Sequence, residues 1–200
     1  VRCAAILAGG ASLRMGVDKA TIATAGSTWL ERTARAARAA GAQVLIVGRS
    51  GAAGLAIDGA RFVPDALPGH GPIGGLATAL AEAPADHVAA VACDMPNVSA
   101  AAFAWLFAEA ESRALDDGLV TAHAAGVEPL FAVYTTRCRP LVARRIAEGR
   151  RSLRGLVEAG RFVRVDAPPS ILEAIVNVNT KEELAAYREA RAAHERAAAS

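Results

Sequence analysis

Glycines and cations crowd the opening of this sequence. An apolar run, Ala4-Ala5-Ile6-Leu7-Ala8, ends in the pair Gly9-Gly10, and Arg14 and Lys19 follow within one short loop. With no Cβ atoms on the glycine pair, backbone N–H groups can close on a ligand, and the two cations set fixed positive charge beside those donors. These are the parts of a polyphosphate cradle. Neither common phosphate loop accounts for it. No window reads G-x-x-x-x-G-K-[ST], and Gly9-Gly10 does not fit the G-x-G-x-x-G expected after a first strand. A second reactive group stands at Cys93-Asp94-Met95-Pro96, directly after the apolar run from His87 to Ala92. A carboxylate at the end of a buried parallel strand sits on the ligand-binding rim, and Mg²⁺ favours one or two carboxylates plus substrate phosphates. Asp94 is therefore the candidate metal ligand. Cys93 reads as packing, because no histidine lies near it in sequence.

A third stretch runs Pro64-Asp65 through Leu67-Pro68-Gly69-His70-Gly71-Pro72-Ile73-Gly74-Gly75. Gly69, Gly71 and Gly74 match G-x-G-x-x-G formally, but no strand ending in Asp or Glu follows at the distance a dinucleotide site requires. The stretch reads instead as a tight loop entering a helix at Pro72, where proline suits the first turn. Gly74 and Gly75 let another backbone or a ligand ring approach that helix start. Asp65 is either a ligand contact or a turn-forming aspartate after proline.

These groups need a scaffold, and the pattern supplies one. Residues 2–7 read as a buried strand, 21–23 as a short strand, and a helix capped by Ser27 runs from about Thr28 until Gly41 closes it. Residues 43–47 are β-branched-rich and form the next strand, followed by the loop Gly48-Arg49-Ser50-Gly51. This is a right-handed βαβ unit, whose ligands bind beyond the carboxyl ends of its strands, so Gly9, Gly10, Gly48 and Arg49 share one rim. Strands at 61–65 and 87–92 follow. Ser99 caps a helix over 100–113 that buries Phe103, Leu106 and Phe107. Residues 119–123 and 128–134 pair as a hairpin across 124–126, which makes the sheet mixed. An arginine-rich helix over 137–147, a second helix to Ala159 and a strand over 162–165 come next, with Pro168-Pro169 as an exposed connection. Asn177 and Asn179 alternate to one face of a strand, and Thr180 with Glu183 forms a capping box for the last helix. The expected architecture is a three-layer, Rossmann-like α/β domain with a mixed, mostly parallel sheet. The 200 residues form one domain.

Composition narrows the partners. The net charge is +2 and aromatics make up 4% of residues, which argues against a nucleic-acid surface. The five arginines Arg144, Arg145, Arg150, Arg151 and Arg154 form one local basic cluster, readable as a solvated face or as a dock for an acceptor's phosphate. Cys3, Cys93 and Cys138 form no C-x-x-C pair, so reduced thiols in the cytoplasm are expected. No apolar run is long enough to span a bilayer, and no charged n-region with a long apolar stretch opens the chain. The sequence starts at Val1, so a few residues are expected to precede it.

The string L-A-G-G-x-S-x-R-M-G-x-D-K over Leu7–Lys19 resembles the signature loop of nucleotidyltransferases that charge small molecules, and among these the molybdenum cofactor guanylyltransferases. P-D and G-P-x-x-G (Asp65, Gly71–Gly75), C-D-x-P (Asp94), x-P-L-F-x-x-Y (Glu128–Tyr134) and N-x-N-T (Asn177–Thr180) follow in the family's order. The resemblance implies transfer of GMP from GTP to the phosphate of molybdopterin, with or without its metal, and release of pyrophosphate. Leu7, Ala8, Gly9 and Gly10 with Arg14 and Lys19 would hold the β- and γ-phosphates, and Asp94 would hold Mg²⁺. Arg49, Asp65, Gly74 and Gly75 would bind base and ribose, and Asn179 would face the acceptor or metal. Residues 1–96 would carry the nucleotide and 97–200 the acceptor, with a molybdoenzyme or chaperone receiving the product. Two departures stand out: Glu128 replaces the family's usual glutamine, and Gly48-Arg49 stands where asparagine is frequent. The rivals are a molybdopterin cytidylyltransferase, a transferase acting on a sugar or lactyl phosphate, and a nucleotide-binding adaptor without chemistry.

Overall fold

Small residues at the centre of a sheet let helices close on both of its sides, and the two central strands here are built that way. The computed structural model describes residues 1–9, 21–24, 26–48 and 57–198. In chain order the elements are β1 (Arg2–Leu7), β2 (Ala23–Thr24), β3 (Ser27–Thr28), α1 (Trp29–Ala39), β4 (Ala42–Val47), β5 (Ala60–Val63), α2 (Pro72–Glu82) and β6 (His87–Ala92). They continue with α3 (Ala100–Glu111), β7 (Gly118–His123), β8 (Gly126–Thr135), α4 (Arg139–Ala147), α5 (Leu153–Ala159), β9 (Phe162–Asp166), α6 (Pro169–Ala174) and α7 (Lys181–Ala198).

Seven strands form one sheet in the order β5-β4-β1-β6-β8-β7-β9, and β2 and β3 pair separately. The pairs β1–β4, β1–β6, β4–β5 and β7–β9 are parallel, and only β8 runs against its neighbours. The sheet is mixed and mostly parallel, as the sequence implies. Alternate residues face opposite layers. Ala4 and Ile6 of β1 join Leu30, Ala34 and Ala37 of α1, Phe103 and Leu106 of α3, and Ile171 of α6. Cys3 and Ala5 join Ile73, Leu76 and Leu80 of α2, Val142 of α4, and Leu156 of α5. Burial pushes the Cys3 thiol up to about 11 and Cys138 up to about 12, so both stay as neutral packing groups.

Three local expectations are corrected. Thr28, not Ser27, caps α1: its hydroxyl accepts from the Glu31 N–H at 3.2 Å and Glu31 returns a bond to the Thr28 N–H at 2.7 Å. Ser27 is held back because it pairs with Thr24 in the β2–β3 ladder. Pro168-Pro169 is no bare connection, since Pro169 opens α6, a position where its missing N–H costs nothing. Asn177 to Asn179 form no strand; the segment is held by bonds from the Val178 N–H to the Asp94 carbonyl at 3.0 Å, from Asn177 Nδ2 to Glu128 at 3.3 Å and from the Asn179 N–H to Glu183 at 2.6 Å. The other caps follow the sequence: Ser99 accepts from the Ala102 N–H at 3.2 Å, and Thr180 from the Glu183 N–H at 3.1 Å. A small separate core of Ile22, Trp29 and Val178, with Leu184 and Tyr187 of α7 against it, ties the end of the chain to the segment that follows the first loop.

Candidate active site

In a sheet ordered this way, the strand after β1 lies on one side of it and the strand after β5 on the other, and a crevice opens where the connections diverge. The divergence falls between β1 and β6. A cleft of about 650 Å³ lies there, at the carboxyl ends of the parallel strands. Its walls bring together Leu7, Ala8 and Gly9 after β1, Gly48 after β4, Asp65 after β5, Gly75 of α2, Asp94 after β6, and Asn177 and Asn179. Gly10, Arg14, Lys19 and Arg49 lie outside the described residues. A second cavity of about 640 Å³ opens at the amino ends of β1 and β6. On its wall Arg2 pairs with Glu111 at 2.7 Å, and that hydrogen bond holds the Glu111 carboxyl below its usual range.

The first loop is anchored before it reaches the ligand. The Ala8 N–H donates to the Val47 carbonyl at 2.8 Å, so Ala8 lines the cleft without offering its amide. Gly9 in turn lies against Gly48: a Cβ on Gly48 would stand 2.4 Å from the Gly9 Cα. Gly48 itself is fixed by its N–H donating to the Val63 carbonyl at 2.9 Å. The exits of β1, β4 and β5 are thus laced together by main-chain contacts.

Asp65 serves a turn and faces the cleft at once. Its Oδ1 accepts from the Leu67 N–H at 3.0 Å and lies 3.1 Å from the Thr78 hydroxyl. That hydroxyl is buried, accepts from the Ala66 N–H at 3.1 Å and also reaches the Gly74 carbonyl at 3.1 Å. Oδ2 takes no hydrogen bond from the described residues. Gly74 and Gly75 divide the work expected of them. A Cβ on Gly74 would meet the Leu67 carbonyl at 2.6 Å, so Gly74 admits the protein's own backbone, while Gly75 lines the cleft beside Leu7. Thr78→Val keeps the volume and removes the hydroxyl that secures Asp65. It is expected to cost about 1–2 kcal/mol of stability, readable by denaturant titration, and, if Asp65 contacts GTP as the resemblance implies, to weaken GTP binding severalfold, readable by calorimetry. Unchanged GTP affinity would show that the nucleotide does not need Asp65 held in this turn.

On the far side of Asp94 the sequence reading missed two residues. Glu128 and Leu130 line the cleft with Asn177. They are placed by a bulge in β8: Thr121 pairs with Glu128, yet the adjacent Val120 pairs with Ala132. The carbonyls that the bulge frees are taken by buried hydroxyls, Tyr134 Oη donating to Pro129 O at 2.8 Å and Thr121 Oγ1 to Phe131 O at 2.6 Å. Pro129, which has no N–H to lose, was the available signal. The basic cluster divides. Arg145 is buried and packs over Gly155, Arg150 pairs with Glu148 at 3.3 Å, and the exposed Arg151 donates to the carbonyl of Gly69 on the cleft's lip at 2.9 Å.

Asp94 offers hard carboxylate oxygen on the cleft wall. Among the described residues no group of three or more His, Cys, Asp or Glu side chains could hold an ion unaided. A divalent ion at Asp94 would complete its shell with phosphate oxygens and water, the donor set that Mg²⁺ prefers. No helix among the described residues is long and apolar enough to cross a membrane.

Comparison with known proteins agrees with this geometry. Residues 4–165 match the family described as the MobA-like NTP transferase domain. A probable molybdenum cofactor guanylyltransferase of Opitutus terrae is 37% identical over 171 residues, 82% of this chain and 83% of that protein. The crystal structure of molybdopterin-guanine dinucleotide biosynthesis protein A from Archaeoglobus fulgidus superposes with a TM-score of 0.79 at 25% identity, covering 94% of this chain and 98% of that one. A manganese complex of Rv0371c from Mycobacterium tuberculosis shares the fold, with a TM-score of 0.65 at 20% identity over 94% of this chain and 97% of that one.

Proposed function

The chain belongs to the MobA-like NTP transferase family, and from that membership we propose that it transfers GMP from GTP to the phosphate of molybdopterin. The observation that supports this best is the single cleft in which Gly9, Gly48, Asp65 and Asp94 meet at the carboxyl ends of four strands. In the reaction, an oxygen of the acceptor's phosphate attacks the α-phosphorus of GTP in line. The bond from that phosphorus to the β-bridging oxygen breaks, and pyrophosphate leaves. Catalysis of this kind rests on positioning and on neutralising the charge of the departing group. Gly9 and Gly10 amides, with Arg14 and Lys19, hold the β- and γ-phosphates. Gly48, Arg49, Asp65 and Gly75 form the base and ribose side. A divalent ion is expected, consistent with the manganese-bound neighbour, and Mg²⁺ held by Asp94 would neutralise phosphate charge. Residues 1–96 carry the nucleotide and residues 97–200 the acceptor, with Asn179 and Arg151 on the acceptor side. The protein works in the cytoplasm, and a molybdoenzyme or its chaperone takes the product.

Guanine is favoured over cytosine because relatives 33–37% identical to this chain are named probable molybdenum cofactor guanylyltransferases. One experiment separates the readings. The protein is incubated with equal GTP, CTP, ATP and UTP, Mg²⁺ and molybdopterin, and the product is weighed by mass spectrometry. Molybdopterin guanine dinucleotide with stoichiometric pyrophosphate is expected. A cytidine adduct overturns the base assignment, and nucleotide binding without pyrophosphate release points to the adaptor.

A further inference from the structure

Glu128 puts a third carboxylate into the cleft, with Asp65 and Asp94, and its surroundings show what it can take. Its Oε1 accepts from the Leu130 N–H at 3.1 Å, and its Oε2 from Asn177 Nδ2 at 3.3 Å. Each carboxylate oxygen has room for about two such bonds, so among the described residues one acceptor site on each oxygen is left. Both oxygens are fixed by the protein, and the bulge in β8 fixes the main chain beneath them. The side chain lines the cleft with Leu130 and Asn177, and a carboxylate placed there repels phosphate oxygens. What it accepts is a neutral ligand edge with two adjacent N–H donors, which a two-oxygen acceptor matches bidentately.

We propose that Glu128 is a specificity-determining residue that receives the amino group and neighbouring ring N–H of an aminopyrimidinone ring in the acceptor. Guanine and pterins both carry that edge. Topology assigns it to the acceptor. In the order β5-β4-β1-β6-β8, Gly48, Gly9 and Asp65 follow β4, β1 and β5, while Glu128 lies near the start of β8 beyond β6, across Asp94 from them. The inference rests on the acceptor being a pterin, as proposed above, and its test does not depend on turnover alone.

Glu128→Leu keeps much of the side-chain volume and removes both acceptor oxygens, whereas the glutamine usual in the family would still offer one. Pterin and lumazine, in which a carbonyl oxygen replaces the amino group, serve as binding probes followed by their own fluorescence. The wild-type protein is expected to prefer pterin by about tenfold, and the variant to lose that preference. In turnover, the KM for molybdopterin should rise about tenfold with kcat nearly unchanged. The ratio of GTP to ITP affinity, which reports the guanine amino group, should not move. Persistence of the pterin preference in Glu128→Leu overturns the proposal, as does its absence from the wild type. A changed GTP to ITP ratio assigns the carboxylate to guanine instead and overturns it equally. If the wild type prefers pterin yet makes no dinucleotide, the transferase reading fails while this one stands.

Discussion

Asp94→Asn is expected to lower turnover by about a thousandfold and to leave the thermal midpoint within about 2 °C of wild type. The substitution is nearly isosteric. It keeps the main-chain contact that matters structurally, the Val178 N–H donating to the Asp94 carbonyl. What it removes is the anionic oxygen at the end of β6, which faces the cleft between the Gly9 side and the Glu128 side. If that oxygen holds the divalent ion against the phosphates, the variant still binds free GTP but responds weakly to Mg²⁺. Calorimetric titration of GTP with and without the metal reads this directly. Removal of divalent ions by a chelator should reduce the wild type to the level of the variant. Near-full activity in Asp94→Asn would sink the metal role, since no group of three or more ligating side chains stands among the described residues to hold the ion elsewhere.

The scaffold was readable because its elements announce themselves locally. The runs from Arg2 to Leu7 and from His87 to Ala92 are apolar without alternation, as strands covered on both faces must be. Pro72 and Ser99 mark helix starts by chemistry that involves only neighbouring residues. The same logic placed Asp65 and Asp94 on one rim, since any group at the carboxyl end of a parallel strand lands there. Where two residues compete for one local role, sequence does not decide. Ser27 and Thr28 both cap helices well, and the pairing of Ser27 with Thr24 is what leaves the role to Thr28. Pro169 reads equally as a linker and as a first helical residue, and only the burial of Ile171 and Ala174 on the core selects the helix.

The site's finer features depend on contacts between segments far apart in the chain. The Ala8 amide looks available until Val47 claims it. The five arginines from Arg144 to Arg154 look alike in sequence, yet Arg145 is buried over Gly155 and Arg151 reaches the lip of the cleft. Glu128 was visible as a departure from the family's glutamine. Its presence in the cleft follows from a bulge that two hydroxyls hold open, those of Thr121 ten residues before Phe131 and Tyr134 five after Pro129. Asn177 and Asn179 reach the cleft without a strand, because bonds to Asp94, Glu128 and Glu183 hold the segment.

Gly48→Ala should be the most damaging single-methyl change in the described part of the site. Gly48 has φ +94°, a conformation that costs an L-residue about 1–2 kcal/mol. Its new Cβ would also lie 2.4 Å from Gly9 Cα and 2.6 Å from Gly9 N, main-chain atoms that cannot rotate away. The exits of β1 and β4 must part, although the Ala8 N–H bond to Val47 and the Gly48 N–H bond to Val63 hold them together. The expected loss is about 2–4 kcal/mol, with a fall in thermal midpoint of roughly 5–15 °C. GTP affinity should fall at least tenfold even at temperatures where the variant remains folded, because the displaced atoms are those of the proposed phosphate loop. Gly75→Ala supplies the contrast. Its Cβ would meet only Leu7, at an ordinary 3.5 Å, and alanine suits a helix better than glycine. Its fold should be as stable as wild type, so any lost GTP affinity in Gly75→Ala reports a ligand against that surface and not a disturbed scaffold. If Gly48→Ala binds GTP as tightly as wild type, the close approach of the two loops is a packing detail, and the nucleotide does not depend on it.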